Sequence, residues 1–222
     1  MMTRKRLTII VGLLFLLGSL LVINEQLKNM LIIQMTRSGI TKATKSRDRR
    51  RHLGAPNFNF SRVKPANWEN TLKAWQSNTT EIGEIVIPSV QIKLPIYYGL
   101  NNENLLKGVG TMRAHDRMGK GNYALAGHHM ENPKILFSPL TRVQRGQRVY
   151  LTDNKRLYVY RIQSKRIISK YQVGYLKTRH HRRTLTLLTC LTANVGETRR
   201  ILVTGSFSYQ TRLNQRWFDL FR

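Results

Sequence analysis

The sequence predicts an all-β domain behind an N-terminal transmembrane helix. Three observations carry this expectation. Residues 7–23 form an uncharged apolar run directly after the basic start MMTRKR. From residue 81 onward, short β-branched stretches alternate with polar residues and are broken by Pro and Gly. Several such stretches at regular spacing indicate a sandwich or barrel. Between these two regions, residues 36 to about 65 have no apolar periodicity and contain Gly, Pro and a charge run, the pattern of a connector.

The apolar run LTIIVGLLFLLGSLLVI spans roughly 25 Å as a helix, near the lower limit for crossing a bilayer. A cleavable signal peptide would end in an A-x-A-like site. The run instead leads into NEQLKNMLIIQM, which can continue the helix amphipathically, so an uncleaved signal anchor is expected. Arg4, Lys5 and Arg6 precede it and are expected to stay cytoplasmic, leaving the bulk of the chain outside. In ANWENTLKAWQSN, Trp68, Leu72 and Trp75 recur at helical spacing, predicting a short helix over 66–78. The stretches EIGEIVIPSVQIKLPIYYGL, NYALAGHH, QRVYLTD, RLYVYRIQSKRIIS, RTLTLLTC and RRILVTGSFSYQ read as strands. QTRLNQRWFDLFR reads as a closing short helix or tail, too short and polar for a second span.

Charge narrows the partners. The 222 residues hold 38 Lys and Arg against 11 Asp and Glu, a formal net charge of +27. The excess is distributed along the chain rather than gathered in one tail. Such a balance attracts polyanions. Export turns this attraction away from nucleic acid and toward anionic lipid or wall polymers. A solvated basic surface without a specific partner accounts equally well for any single cluster.

Cys190 is the only cysteine, so no intramolecular disulfide can form. A single thiol in an exported protein is a candidate reactive group, although free Cys more often simply packs. A nucleophilic thiol needs electropositive company and a histidine. Of His52, His115, His128, His129, His180 and His181, the pair His128 and His129 closes the strand NYALAGHH and sits on the most rigid platform. His180 and His181 fall in KTRHHRR, which reads as a loop. Successive strand residues face opposite sides, so one of His128 and His129, and one of Arg199 and Arg200, can face the thiol. An arginine there would stabilise an oxyanion. A multi-Cys zinc site is excluded, and H-E-x-x-H, a phosphate loop and G-x-S-x-G are missing from the sequence.

With IGEIVIPSVQIKLPIYYGL, LKGVGTM, GNYALAGHH, LFSPL, TLTLLTC and RILVTG in this order, the chain resembles the class A sortases over about residues 81–209. The resemblance implies a closed eight-stranded sortase-type β-barrel with short helices. It implies a catalytic set of Cys190, His128 and Arg200, choosing one member of each pair. It implies transpeptidation, in which the thiol cleaves a secreted protein's C-terminal Leu-Pro-x-Thr-Gly signal between Thr and Gly. The Thr is then joined to an amine of a lipid-linked peptidoglycan precursor. VGYL, residues 173–176, looks like the segment that packs on the signal's Leu-Pro, with Val173, Tyr175 and Leu176 as contacts; ordinary loop packing explains it equally. Some relatives bind calcium through acidic side chains near here, whereas residues 154–189 carry no acid. No metal, cofactor or calcium stimulation is therefore expected.

The division expected is a cytoplasmic end 1–6, the anchor 7–23, a basic linker with a short helix 24–80, the catalytic domain 81–209 and a tail 210–222. The protein is thus expected in the cell membrane as a single-pass protein with its catalytic domain extracellular. A second reading, from another class, is a non-catalytic, membrane-tethered basic β-domain that holds anionic wall polymer or lipid.

Overall fold

The computed structural model describes residues 4–43, 56–60, 63–176 and 182–221. Its centre is a closed barrel of eight strands: β1 (Glu81–Ile87), β2 (Ile92–Tyr97), β3 (Val109–Thr111), β4 (Asn122–Gly127), β5 (Arg148–Thr152), β6 (Arg156–Ser169), β7 (Thr184–Cys190) and β8 (Arg199–Arg212). Around the barrel the order is β1-β2-β3-β4-β7-β8-β6-β5, and β5 pairs back onto β1. β2 with β3 and β4 with β7 are parallel; the other neighbours run antiparallel. Closure leaves no sheet edge open to pair with another chain.

Alternation sorts each strand into an inner and an outer set. Leu185 and Leu187 of β7, Tyr123 and Leu125 of β4, and Ile201 and Val203 of β8 point into the barrel core. The alternate residues Leu188, Ala124, Ala126 and Leu202 form a second apolar cluster on the outer face of the same three strands. β7 therefore reads as a nearly continuous apolar run because it is covered on both sides. The outer cover is made by Phe60, Val63, Ile168, Tyr175 and Leu176. Truncating a buried leucine such as Leu188 to alanine costs about 2–5 kcal/mol.

The helices build the flank over β1 and β2. α1 (Arg4–Ala43) is one continuous helix, about 60 Å long. Its first half exposes Ile9, Val11, Leu13, Leu14, Phe15 and Leu16. Its second half packs on β1, β2 and the two short helices α2 (Trp68–Gln76) and α3 (Asn102–Lys107). Ile32 and Met35 are buried in the main core cluster. Gly39 lets the helix lie directly on β2: a Cβ there would come within 2.6 Å of the Tyr97 hydroxyl and 3.0 Å of Pro95. This docking is why helix continues through 36–43, where the sequence alone reads as connector. α2 starts at Asn67, whose side chain caps the Asn70 amide at 2.8 Å. α4 (Gln215–Phe221) buries Phe221 against Val86, Tyr150, Leu157 and Val159 on the outside of the barrel.

Candidate active site

The outer faces of β4, β7 and β8 lead to one place. Cys190, the last residue of β7, is directly opposite Arg200 on β8. Leu188 of β7 is opposite Ala126 of β4. Two residues further along the chain come Cys190, the end of β7, and His128, just past the end of β4. Cys190, His128 and Arg200 together line a cleft of about 1040 Å³ whose walls also include Tyr175, Leu176 and Phe60.

The histidine is held by its backbone. Gly127 ends β4 and packs on the Phe137 ring, where a Cβ would meet the ring at 2.9 Å. The Phe137 amide donates to the His128 carbonyl at 3.0 Å. Thr189 Oγ1 donates to the Gly127 carbonyl at 2.9 Å, tying the end of β7 to the end of β4. The His128 ring has no such tie: its Nε2 is buried and has no hydrogen-bond partner. Burial therefore pushes its pKa down to about 4, and the ring is neutral at pH 7. His129 also lines the cleft, but its ring is engaged, with Nδ1 donating to the Cys190 carbonyl at 3.0 Å.

Cys190 is half-buried, and burial raises its pKa above the ordinary thiol value. The Arg200 guanidinium opposes that rise and the Glu197 carboxylate adds to it. Arg200 is fixed through Nη1, which donates to the carbonyls of Glu197 at 2.5 Å and Arg199 at 3.0 Å. Its guanidinium lies 5.4 Å from the centre of the Phe60 ring, and its buried Nε has no partner. A cationic donor with a free N–H beside a thiol can receive an oxyanion. Arg199 is committed elsewhere: it is exposed and forked onto Glu197 at 3.1 and 3.3 Å. Hydrogen bonds from Arg199 and Thr192 hold the Glu197 pKa down at about 2.

Val173, Tyr175 and Leu176 all reach the cleft. Tyr175 and Leu176 pack on the outer apolar cluster, while Val173 is exposed at the rim. Their segment is cross-linked to the barrel. Arg113, in the β3–β4 loop, donates to the Leu176 and Asn122 carbonyls and pairs with Asp116 at 2.7 Å. Asn122 Nδ2 donates to the Tyr175 carbonyl at 2.9 Å. Sequence reasoning passes over Arg113, Asn122 and Phe60, because each acts across a long sequence separation with no spacing signal. His115 is exposed and stands apart from the cleft. His52, His180 and His181 lie outside the described residues. Among the described residues, no group of three or more His, Cys, Asp or Glu comes together.

The comparisons with known proteins agree on one family. The family model described as a sortase domain matches residues 85–208. Sortase A of Listeria monocytogenes is 31% identical over 217 residues, covering 96% of this chain and 96% of that protein. Sortase A of Streptococcus agalactiae is 36% identical over 214 residues, covering 90% of this chain and 86% of its own length. The solved structure of Listeria monocytogenes sortase A superposes with a TM-score of 0.61 at 35% identity, covering 64% of this chain and 97% of that one.

Proposed function

Because the chain belongs to the sortase family, we propose that Cys190, His128 and Arg200 carry out its reaction, with Val173, Tyr175 and Leu176 holding the substrate. The reaction is cysteine-dependent transpeptidation that anchors surface proteins bearing a Leu-Pro-x-Thr-Gly signal to the cell wall. The supporting observation is the pairing of Cys190 with Arg200 beneath one cleft that also takes in His128.

At rest the thiol is protonated and the imidazole neutral, following the opposite effects of burial on the two groups. The proton passes from Cys190 Sγ to His128 as the sulfur attacks the Thr carbonyl. The carbonyl oxygen becomes an oxyanion, and Arg200 balances its charge. The carbon–nitrogen bond then breaks, His128 gives its proton to the departing Gly amine, and a thioester remains on Cys190. An amine of the lipid-linked peptidoglycan precursor attacks that thioester. His128 takes the amine's proton and returns it to the sulfur, so the enzyme ends as it began. Burial stops His128 from being trapped as a resting cation, which leaves it free to shuttle this proton.

The N-terminal apolar helix serves as the membrane anchor. In this reading residues 1–6 stay inside, 7–23 cross once, and the catalytic stretch 81–209 and the tail 210–222 lie outside. The alternative of a non-catalytic polymer-binding domain gives no reason for a cysteine, a histidine and an arginine to converge.

Point variants test the assignment. Cys190→Ala abolishes cleavage of a Leu-Pro-x-Thr-Gly peptide. His128→Ala and Arg200→Ala each lower kcat/KM by about 10²–10³-fold or more, while His129→Ala and Arg199→Ala are milder. The reverse ranking would mean that the other member of each pair faces the thiol. Full activity in Cys190→Ala would remove the thiol mechanism altogether.

A further inference from the structure

α1 keeps an apolar surface beyond the point where its sequence turns polar. Asn24, Glu25, Gln26 and Lys28 interrupt the run after Ile23, yet Leu27 and Met30 remain 50% and 66% exposed. Ile23, Leu27 and Met30 recur at i, i+4, i+7 and so share one face. The opposite face carries Asn29, Ile32, Met35 and Thr36, buried on the domain. Leu27 and Met30 lie ~6 and ~10 Å along the axis beyond Ile23, about the depth of the headgroup region that flanks the hydrocarbon core. On the inward face Glu25 and Lys28, ion-paired at 2.7 Å, already line the active-site cleft. Along the helix axis, the domain begins before the apolar face ends.

α2 stands at this level. Asn67, its N-cap, lines the cleft with Glu25 and Lys28. Trp75, near its other end, shares a second cavity with Met35, Ser38 and Gly39. α2 therefore runs alongside α1 with Trp68 toward the bilayer. Thr71 and Ala74 fill its buried face, whereas Trp68, Leu72 and Trp75, again at i, i+4, i+7, are exposed. An exposed stripe with two tryptophans is unfavourable in water. It suits the bilayer interface, where an indole is half in lipid and half wet.

We propose that the Trp68–Leu72 end of the α2 stripe, together with Leu27 and Met30, rests in the headgroup layer of the bilayer that α1 crosses. The domain is thereby seated on the membrane, and the cleft mouth at Glu25, Lys28 and Asn67 opens at headgroup level. The inference rests on α1 being the anchor. That bilayer is the occupant, rather than a second copy, because the stripe lies beside a helix already committed to lipid. A lipid-linked acceptor then reaches Cys190 without leaving the membrane.

The test uses the full chain with Trp75→Phe and Trp217→Phe, leaving Trp68 as the sole indole, in phosphatidylglycerol vesicles with acyl chains brominated near the headgroup. Co-sedimentation with the vesicles reports the anchor separately. The expected result is blue-shifted Trp68 emission, quenched by the brominated lipid and protected from aqueous acrylamide. Quenching by acrylamide alone in sedimenting protein overturns the proposal and leaves the anchor intact. Protection from both quenchers means that protein covers the stripe, and overturns it too. Failure to sediment removes the anchor and the proposal with it. In a second arm, the double variant Trp68→Gln, Leu72→Gln keeps its rate with soluble peptide and soluble amine and loses about tenfold with a lipid-linked amine. An equal change with both acceptors, or none, contradicts the seating.

Discussion

Cys190 and His128 are both displaced toward their uncharged forms, and for the same reason: burial penalises a thiolate and an imidazolium alike. In the proposed mechanism the reactive ion pair is then a minor resting species. Alkylation of Cys190 by a neutral haloacetamide should climb continuously as pH rises toward and past an ordinary thiol pKa of about 8.5. A plateau already reached below neutral pH would mean a stabilised thiolate and contradict this protonation scheme. At this scale the sequence is most legible where chemistry is scarce, as with one cysteine and one strand-end histidine pair. Alternation explains why a choice between His128 and His129 exists, but the register that sets Cys190 against Arg200 belongs to the folded barrel. Phe60 beside Arg200 is illegible, because the contact joins residues far apart in sequence.

Among the elements, the cross-link from the β3–β4 loop fixes the segment 173–176, the proposed substrate contact. Arg113 joins Leu176, Asn122 and Asp116 at once. Arg113→Ala should raise KM for the signal peptide about tenfold, through loss of charge-assisted bonds, with kcat largely kept and proteolysis increased around residues 170–183. Unchanged KM and unchanged proteolysis would show that the segment is held without it. On β1, Glu84 is fully buried, and neither carboxylate oxygen has a hydrogen-bond partner. Burial raises its pKa to about 8, against the pull of Lys93. The folded protein thus keeps a proton that the unfolded chain releases above about 4.3, so this group costs stability as pH rises from there to about 8. Glu84→Gln should therefore gain on the parent by roughly 1.4 kcal/mol per pH unit across that window, read by chemical unfolding in micelles. A pH-independent difference would show that Glu84 ionises normally. The long strands are legible because inner and outer residues alternate. β3 is not, since three residues with a central glycine carry no period. Residues 24–35 of α1 are legible as an amphipathic continuation, but 36–43 are not, and only docking on Tyr97 and Pro95 reveals why helix continues there.

For the whole molecule, the anchor and the barrel are one packed body, with Ile32 and Met35 of α1 in the same core cluster as the barrel strands. The all-β class and the membrane helix are legible from composition and period alone. Their mutual docking is not, because it depends on surfaces that exist only once the barrel has closed. The net charge of +27 suits a domain held against an anionic surface, where attraction weakens with salt. The central claim is that this body presents Cys190 as an acyl carrier. Mass spectrometry of the full chain, acid-quenched during turnover of a Leu-Pro-x-Thr-Gly peptide, tests it most directly. The account predicts a hydroxylamine-labile adduct on Cys190 that retains the Leu-Pro-x-Thr portion and lacks the Gly, trapped in greater amount when no amine acceptor is supplied. Cleavage of the peptide with Cys190 unmodified throughout, or cleavage undiminished in Cys190→Ala, would contradict it.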